Sequence, residues 1–290
     1  MDFSDFKRRS KTSLDELSKK IQESSGSKDS YKDDRFWRPE LDKSSNGYAV
    51  IRFLPAPPNE KLPWAKLYSH AFQGKGGWFI ENSRTTLGEN DPVSEMNSEL
   101  WNSGQDTDKD IARARKRKLQ YISNILVISD PANPQNEGKV FLYKFGKRIF
   151  DKIQEAMEPE FADEEKINPF DFWSGANFKL KVRKVAGFIN YDKSEFDSLS
   201  ELFSGDDTKL EELWKKQYPL KPFTDPSNFK SYDELKERLS TVVGDDIRFT
   251  DVSTNTVESV QMDQEESSAP SQEVGEETNA LDYFEKLAKE

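Results

Sequence analysis

The sequence of 290 residues contains no cysteine and a single histidine, His70. Without thiols there are no disulfides, thiolate metal ligands or cysteine nucleophiles, and one imidazole excludes a site built from several histidines. No apolar run approaches the roughly 18–20 residues that a membrane-spanning helix needs. The first residues are polar and charged, so we expect neither secretion nor a membrane partner.

The composition instead combines many charges with many aromatic rings. Charged residues make up 33% and aromatic residues 12%, and this aromatic content predicts a packed core. The formal net charge of −11 argues at first sight against a nucleic-acid partner. However, residues 251–290 contain eleven acidic residues and two lysines, a net charge of −9, so the other 250 residues carry only −2.

Four basic runs lie in this nearly neutral body. One basic run is usually a solvated face, whereas several runs opposed by one acidic segment are also typical of proteins that bind polyanions. The charge pattern alone leaves both interpretations open. The runs contain Lys7, Arg8, Arg9 and Lys11; Arg113, Arg115, Lys116, Arg117 and Lys118; Lys139, Lys144, Lys147, Arg148 and Lys152; and Lys179, Lys181, Arg183 and Lys184.

The hydropathy pattern predicts a mixed β/α core of several short strands with peripheral helices. A small open barrel or a curved sheet fits this pattern, and a doubly wound sheet does not, because strands and helices do not alternate. Residues 82–110 are polar and indicate an irregular excursion from the sheet. The predicted strands cover residues 48–54, 64–72, 78–80, 121–128, 139–145 and 177–185, and the predicted helices cover 149–157, 210–218 and 232–243.

Both ends of the chain differ from this core. Residues 1–30 are polar and basic, with one short amphipathic segment, and they indicate an arm. Residues 244–290 have the composition of a disordered acidic tail. Near its end Leu281, Phe284 and Leu287 have helical spacing, which fits either a fraying terminal helix or a peptide that docks on a partner.

Motifs for catalysis are nearly absent. The chain has no GxxxxGK[ST] phosphate loop and no GxGxxG motif after a strand. Its acid pairs lie in polar loops, where nothing indicates the burial that raises the pKa of a carboxyl group for acid–base work. The sequence therefore predicts a binding protein and not an enzyme, with a metal-dependent nuclease and an acidic-tailed scaffold that binds only proteins as alternatives.

The predicted strand at 177–185 gives a more specific binding signal. Lys179, Lys181 and Arg183 alternate with apolar residues, so on a strand they share one face and are spaced to follow a phosphate backbone. Phe188 and Tyr191 follow on a predicted bend, where they either fill the core or stay exposed. Exposed rings beside cations bind single strands of any sequence, because every base can stack while the cations neutralise phosphates.

Ordered blocks of the sequence resemble one known family. The blocks are residues 46–55, 78–81, 124–127, 136–141, 145–147 and 175–192. Together they resemble the T-even-type bacteriophage single-stranded DNA-binding proteins, which are helix-destabilising replication proteins, over roughly residues 35–240.

The resemblance implies a fold and a function. The fold would be an OB-fold core, a five-stranded Greek-key barrel, over residues 31–243, with a subdomain inserted at about 64–118. The function would be cooperative, sequence-independent coating of single-stranded DNA in phage DNA replication, recombination and repair, in the cytoplasm of the infected bacterial host.

The resemblance also implies roles for particular segments. The arm looks like a segment for self-association along the strand, and the tail looks like a segment that recruits phage replication and recombination proteins and competes with DNA. Trp101 lies near an aromatic cleft position of the family and would stack on a base or cap a small core, while two other aromatic positions are replaced by Asn90 and Ala112. The predicted DNA-binding residues are Arg115, Lys116, Arg117, Lys118, Lys144, Lys147, Arg148, Lys179, Lys181, Arg183, Phe188, Tyr191 and Trp101; those for self-association are Lys7, Arg8, Arg9 and Lys11, and those for partner docking are Leu281, Phe284 and Leu287.

One departure from the family concerns a metal. The inserted subdomain of the family commonly holds a structural zinc through one histidine and three cysteines. His70 is retained, but the cysteine positions align with Ser83, Asp91 and Ser94. Serine hydroxyls are poor zinc ligands, and one histidine with one aspartate does not make a closed tetrahedral site. We therefore predict that the zinc is lost, that the chain has no cofactor, and that residues 82–110 are ordered by packing or remain mobile.

Overall fold

A computed structural model of the protein describes residues 33–161 and 163–244. Within these ranges the chain forms a mixed sheet of nine strands, together with five α-helices and several short 3-10 turns. The strands are β1 (Phe36–Trp37), β2 (Gly47–Phe53), β3 (Trp64–Gly74), β4 (Gly77–Asn82), β5 (Lys118–Ser129), β6 (Val140–Gly146), β7 (Ala176–Val185), β8 (Phe188–Asn190) and β9 (Glu195–Leu199). The helices are α1 (Pro92–Asn102), α2 (Asp106–Ala114), α3 (Lys147–Met157), α4 (Asp207–Lys215) and α5 (Tyr232–Val243).

The predicted mixed β/α class is confirmed within these ranges, where no helix is both long and apolar enough to span a bilayer. The predicted strands and helices of the core are present, with ends that differ by a few residues. The self-association residues Lys7, Arg8, Arg9 and Lys11 lie outside the described residues, as do the docking residues Leu281, Phe284 and Leu287 and most of the acidic tail.

Strand β5 organises the sheet. One of its edges pairs with β6, and its other edge pairs first with β3 and then with β2. The sheet continues from β2 to β7, which pairs with β8 and β9, while β4 extends β3 and β1 pairs with β6. Every pairing is antiparallel except that of β1 with β6.

The main core lies on one face of this sheet. Alternate residues of β2 and β7, among them Ile51, Phe53 and Leu180, are fully buried against Ile149 and Ile153 of α3. A strand with one buried face needs this alternation, because successive side chains point to opposite sides. Each large apolar side chain buried in this way contributes about 1.5–3 kcal/mol.

Residues 82–110 leave the sheet and are ordered by packing, as predicted, but the prediction that they are irregular was wrong. In place of an irregular excursion, the structure has a 3-10 turn at Arg84–Leu87 followed by α1 and α2. Asp91 caps α1 by accepting hydrogen bonds from backbone N–H groups, and Pro92 at the first helical position has its backbone pre-set for a helix. The hydropathy pattern did not reveal these helices because they are short and rich in polar residues.

The inserted segment shares its core with the last helix. Phe72, Phe79 and Met96 form a buried cluster with Leu239 and Val242 of α5. The tight turn between β3 and β4 lies against the end of the same helix, where the Gly76 N–H donates to the Val242 carbonyl at 2.8 Å. The core of the insertion is therefore completed only when a segment more than one hundred residues away packs onto it.

We predict that Gly76→Ala lowers the free energy of unfolding by about 1–3 kcal/mol, the usual cost of overpacking. An added methyl group at Gly76 would collide with the Thr241 carbonyl oxygen, which is held by backbone and cannot swing away. Gly146→Ala is the control, because a methyl group there meets no atom within 4 Å. Urea unfolding of both variants measures the difference, and equal stability of the two variants would contradict the docking of α5 on this turn.

Candidate nucleic-acid interface

A partly exposed tyrosine on β3 lies between two cations. The Arg117 guanidinium carbon is 4.3 Å from the centre of the Tyr68 ring, and the Lys66 Nζ atom is 5.2 Å from it. Lys66 and Tyr68 share a face of β3 because they are two residues apart. Each such cation–π contact at an exposed site is worth about 0.5–1 kcal/mol. The arrangement presents an aromatic ring together with two positive charges.

A second tyrosine, only 6% exposed, lies beside this ring at the edge of the main core. Tyr121 of β5 lies opposite Lys66 in the strand register and stacks on Phe150 of α3, with ring centres 3.8 Å apart and planes 2° from parallel. Burial, aided by Tyr68 and Asp151, raises the pKa of the Tyr121 hydroxyl to about 12, so it stays protonated at neutral pH. We call Lys66, Tyr68, Arg117, Tyr121 and Phe150 the Tyr68 cluster.

The predicted cations of α3 lie beside this cluster, whereas Lys144 of β6 is opposite Ile122 in the strand register and lies on the other face of the sheet. Lys147 and Arg148 form the first turn of α3, the helix that carries Phe150. Lys147 is exposed and pairs with Asp151 one turn later at 2.8 Å. Lys144, also exposed, places its Nζ atom 5.4 Å from the centre of the Phe36 ring. These side chains reach solvent, as a phosphate contact requires.

The segment between α2 and β5 places its four cations differently. Arg115 lies over the Phe72 ring at 5.6 Å, Arg117 lies on Tyr68, and Lys116 is partly exposed. Lys118 corrects the sequence prediction, because as the first residue of β5 it is only 9% exposed. We therefore leave Lys118 out of the proposed interface.

The cation row on β7 has partners that the sequence did not reveal. Leu180 and Val182 are buried as predicted, so the three cations do share the other face. Each of them pairs with a carboxylate in or before β9. The pairs are Lys179 with Asp197 at 2.9 Å, Lys181 with Glu195 at 2.7 Å, and Arg183 with Asp192 at 2.5 Å.

These three pairs, which we call the β7–β9 ion pairs, are largely solvent-exposed. The hydrogen bond from Lys179 to Asp197 raises the pKa of the lysine, and the bond from Arg183 to Asp192 lowers the pKa of the aspartate. Exposed ion pairs contribute little to stability and are screened by salt. The positive charges of Lys179, Lys181 and Arg183 are thus neutralised by carboxylates of the protein itself. A more highly charged anion can displace these exposed carboxylates.

The remaining predicted aromatic residues are all partly buried. Trp101 on α1 has the Arg113 guanidinium carbon 5.2 Å and the Lys109 Nζ atom 6.0 Å from its ring centre. Phe188 begins β8 directly after the predicted bend, and Tyr191 packs on the edge of the main core. The bend itself is confirmed, since the two residues between β7 and β8 have φ angles of 51° and 91°, as a tight hairpin turn requires.

The four family zinc positions lie together but do not form a zinc ligand set. His70 Nε2 lies 3.1 Å from an oxygen of Asp91, and Ser83 Oγ donates to the other oxygen at 3.0 Å. The backbone N–H of Ser94 also donates to Asp91, at 3.0 Å. Structural zinc is held by four cysteine or histidine ligands, and hydroxyl groups do not replace thiolates. In the described ranges, no three His, Cys, Asp or Glu side chains are grouped as metal ligands.

The sequence interpretation missed Lys66, Tyr68 and Tyr121, although a signal was present. Trp64, Lys66 and Tyr68 alternate along the predicted strand, which places two aromatic residues and a cation on one face. Rings that alternate with cations on a sheet surface are typical of proteins that bind nucleic acid strands. The fold and this surface therefore define a candidate nucleic-acid-binding protein.

Comparison with known proteins agrees with this class. A family model described as "gp32 DNA binding protein like" matches residues 45–243. The chain is 41% identical over 249 residues to the single-stranded DNA-binding protein of Enterobacteria phage T2, covering 82% of this chain and 80% of that protein. It is 40% identical over 248 residues to the same-named protein of Enterobacteria phage T4, covering 82% and 79%. The protein belongs to the gp32-like family of DNA-binding proteins, which confirms the family predicted from the sequence.

We predict that Phe150→Ala lowers the free energy of unfolding by about 2–4 kcal/mol, because it removes a stacked, half-buried ring that holds α3 on β5. Phe161→Ala is the control, because that ring is 63% exposed and its loss should change stability by less than about 0.5 kcal/mol. Thermal unfolding of both variants measures the effect. A Phe150 variant as stable as the control would show that the stack does not anchor the helix.

Proposed function

We propose that this protein binds single-stranded DNA without sequence preference, through the Tyr68 cluster and the basic segments beside it. The observation that carries the proposal is the partly exposed Tyr68 ring, which lies with Lys66 and Arg117 on one surface and beside the buried Tyr121. Every base offers a face for stacking on such rings, while the cations neutralise phosphates regardless of sequence. Membership in a family whose relatives are named single-stranded DNA-binding proteins supports the same conclusion.

The strand pairing supports the finer proposal of an OB-type core. Strands β2, β5 and β6 pair in sequence, α3 follows β6, and β7 returns to pair with β2 before its hairpin partners. This order of pairing is compatible with the five-stranded Greek key of an OB-fold, which commonly binds oligonucleotides on its strand face. The residues around β2, β5, β6 and β7 would form the barrel, and β3 to α2 the inserted subdomain.

The proposed mechanism is differential binding and needs no catalytic step. A protein that binds single strands better than duplex lowers the stability of the duplex by mass action. We propose that the arm at 1–30 adds cooperativity between neighbouring copies, and that the tail at 244–290 recruits phage replication and recombination proteins. We propose that the protein acts in this way in phage DNA replication, recombination and repair, in the cytoplasm of the infected host.

Titration with an oligo-dT at two salt concentrations tests the proposal. We expect binding that weakens as salt rises, because each neutralised phosphate releases counterions. Absence of binding, or binding insensitive to salt, would refute the proposed function and favour a protein-only scaffold. Cleavage of the oligonucleotide that requires magnesium would favour the alternative of a nuclease.

We predict that Tyr68→Ala lowers the affinity for oligo-dT about tenfold, within the range of one lost base stack. Tyr68→Phe keeps the ring and its cation contacts, so its affinity should stay within about twofold of the parent protein. Trp173→Ala, which removes a 53% exposed ring elsewhere, is the control for general loss of aromatic surface. Fluorescence anisotropy measures all three, and an equal loss for Tyr68→Phe and Tyr68→Ala would contradict a stacking role.

We also predict that neutralising the acidic side of the β7–β9 ion pairs strengthens DNA binding. The variant Asp192→Asn, Glu195→Gln and Asp197→Asn removes the carboxylates that pair with Lys179, Lys181 and Arg183. Each newly contacted phosphate should steepen the salt dependence by about 0.7, so the slope should change by up to about 2.

A variant of α4 with the same change in charge is the matched control for this prediction. Asp207→Asn, Glu211→Gln and Glu212→Gln neutralise three exposed acids without touching β7 or β9. An equal gain in affinity for both triple variants would mean that net charge alone is responsible and that the cation row does not meet DNA.

A further inference from the structure

Asp91 is a buried carboxylate at the centre of the inserted segment. It is 1% exposed and receives five hydrogen bonds. One oxygen accepts from His70 Nε2 at 3.1 Å and from two backbone N–H groups in the first turn of α1, at 3.0 and 3.1 Å. The other oxygen accepts from Ser83 Oγ and from the Arg84 backbone N–H, both at 3.0 Å.

The hydrogen bonds around Asp91 are oriented differently from the bonds of a metal site, in which ligand atoms point lone pairs at the centre. Each group around Asp91 points a hydrogen atom at the carboxylate, so His70 Nε2 uses its N–H there and offers no lone pair. A metal ion at this point would meet N–H and O–H donors in place of lone pairs. The fourth family position, Ser94, has its hydroxyl oxygen buried without a hydrogen-bond partner in the described residues, so it does not complete a ligand set.

The same group of residues reaches the basic segment before β5. His70 Nδ1 lies 3.4 Å from the Arg115 carbonyl oxygen, and Asn97 Nδ2 donates to that oxygen at 3.0 Å. Two residues later Arg117 lies on the Tyr68 ring. A short backbone path therefore joins the buried carboxylate to the cation that covers Tyr68.

We propose that the Asp91 carboxylate performs the structural role that zinc has elsewhere in the family. It gathers His70, Ser83 and the first turn of α1 around one negative charge. By capping α1 it also orients Asn97, whose amide donates to the Arg115 carbonyl and so places Arg117 over Tyr68. His70, Asp91 and Asn97 are positioning residues for the DNA surface, a statement that rests on the proposed function, and the fold does not depend on zinc.

The first test measures metal content and metal dependence of the full-length protein. We expect well below one zinc per chain, and oligo-dT affinity within about twofold before and after dialysis against a zinc chelator, because a hydrogen-bonded carboxylate needs no ion. Added zinc should not strengthen binding. One zinc per chain, or loss of affinity on chelation that zinc restores, would overturn the proposal.

The second test separates positioning from folding. Asn97→Ala removes one bond to the Arg115 carbonyl and leaves the five bonds of Asp91 in place. We expect about fivefold weaker oligo-dT binding, the effect of one lost hydrogen bond, and faster tryptic cleavage after Arg115, in a protein that stays folded with a melting temperature lowered by only a few degrees. Ser98→Ala, which removes a bond within α1, is the control and should change neither readout. Parent-like affinity and cleavage in the Asn97 variant would overturn the positioning role.

The third test restores a metal. Asp91→Ala should weaken oligo-dT binding more than Asn97→Ala does. A triple variant, Ser83→Cys, Asp91→Cys and Ser94→Cys, instead provides three thiolates beside His70. We expect this triple variant to bind one Co²⁺ with thiolate absorption bands, and to bind oligo-dT only with zinc present. Equal DNA binding by the triple variant with and without metal would overturn the proposal.

These readouts also separate this proposal from the proposed function. If the parent protein bound no oligo-dT, the proposed function would fail. Zinc content, the tryptic pattern of Asn97→Ala and the cobalt spectrum of the triple variant would still decide between a carboxylate and a metal at this position.

Discussion

The pairing of β5 is the constraint on which the rest of the structure depends. This 12-residue strand pairs with β6 along one edge and with both β3 and β2 along the other. Because its side chains alternate between faces, Tyr121 belongs to the main core and the Tyr68 cluster, whereas Ile122 belongs to a separate cluster on the opposite face. One strand thus connects the sheet, the inserted segment and the aromatic surface, so a shift in its register would disturb all three.

Electrostatics in this protein is a matter of local pairing more than of total charge. The body of the chain is nearly neutral, yet it presents cations on aromatic rings in one place and cations paired with carboxylates in another. On Tyr68 the positive charge of Arg117 is presented beside a stacking surface. On β7 the charge of Lys179 is met by Asp197. On β7 an anionic strand must therefore exchange with the carboxylates that already pair with the cations.

Sequence patterns predicted the regular elements well where burial alternates or recurs at helical spacing. The predicted helix at 232–243 coincides with α5, and the strand at 48–54 coincides with β2 to within one residue. Three strands were not predicted: β1 has two residues, β8 has three, and β9 is a polar strand that pairs with β7. Helix α1 was not predicted because its apolar residues bury against α5, a partner that no local pattern indicates, and α2 was not predicted because it is short and polar.

The sequence by itself determined the family, the mixed β/α class, the alternation of β7 and the absence of three zinc-binding thiols, since each of these is a property of residue identity and order. Only the tertiary structure decided what the charged residues do. Lys118 is buried, Lys181 pairs with Glu195 and Arg117 covers Tyr68, because pairing and burial depend on which strands become neighbours. The same holds for Asp91, an ordinary acid in the sequence that becomes a hydrogen-bonded centre when β3, the 3-10 turn and α1 meet around it.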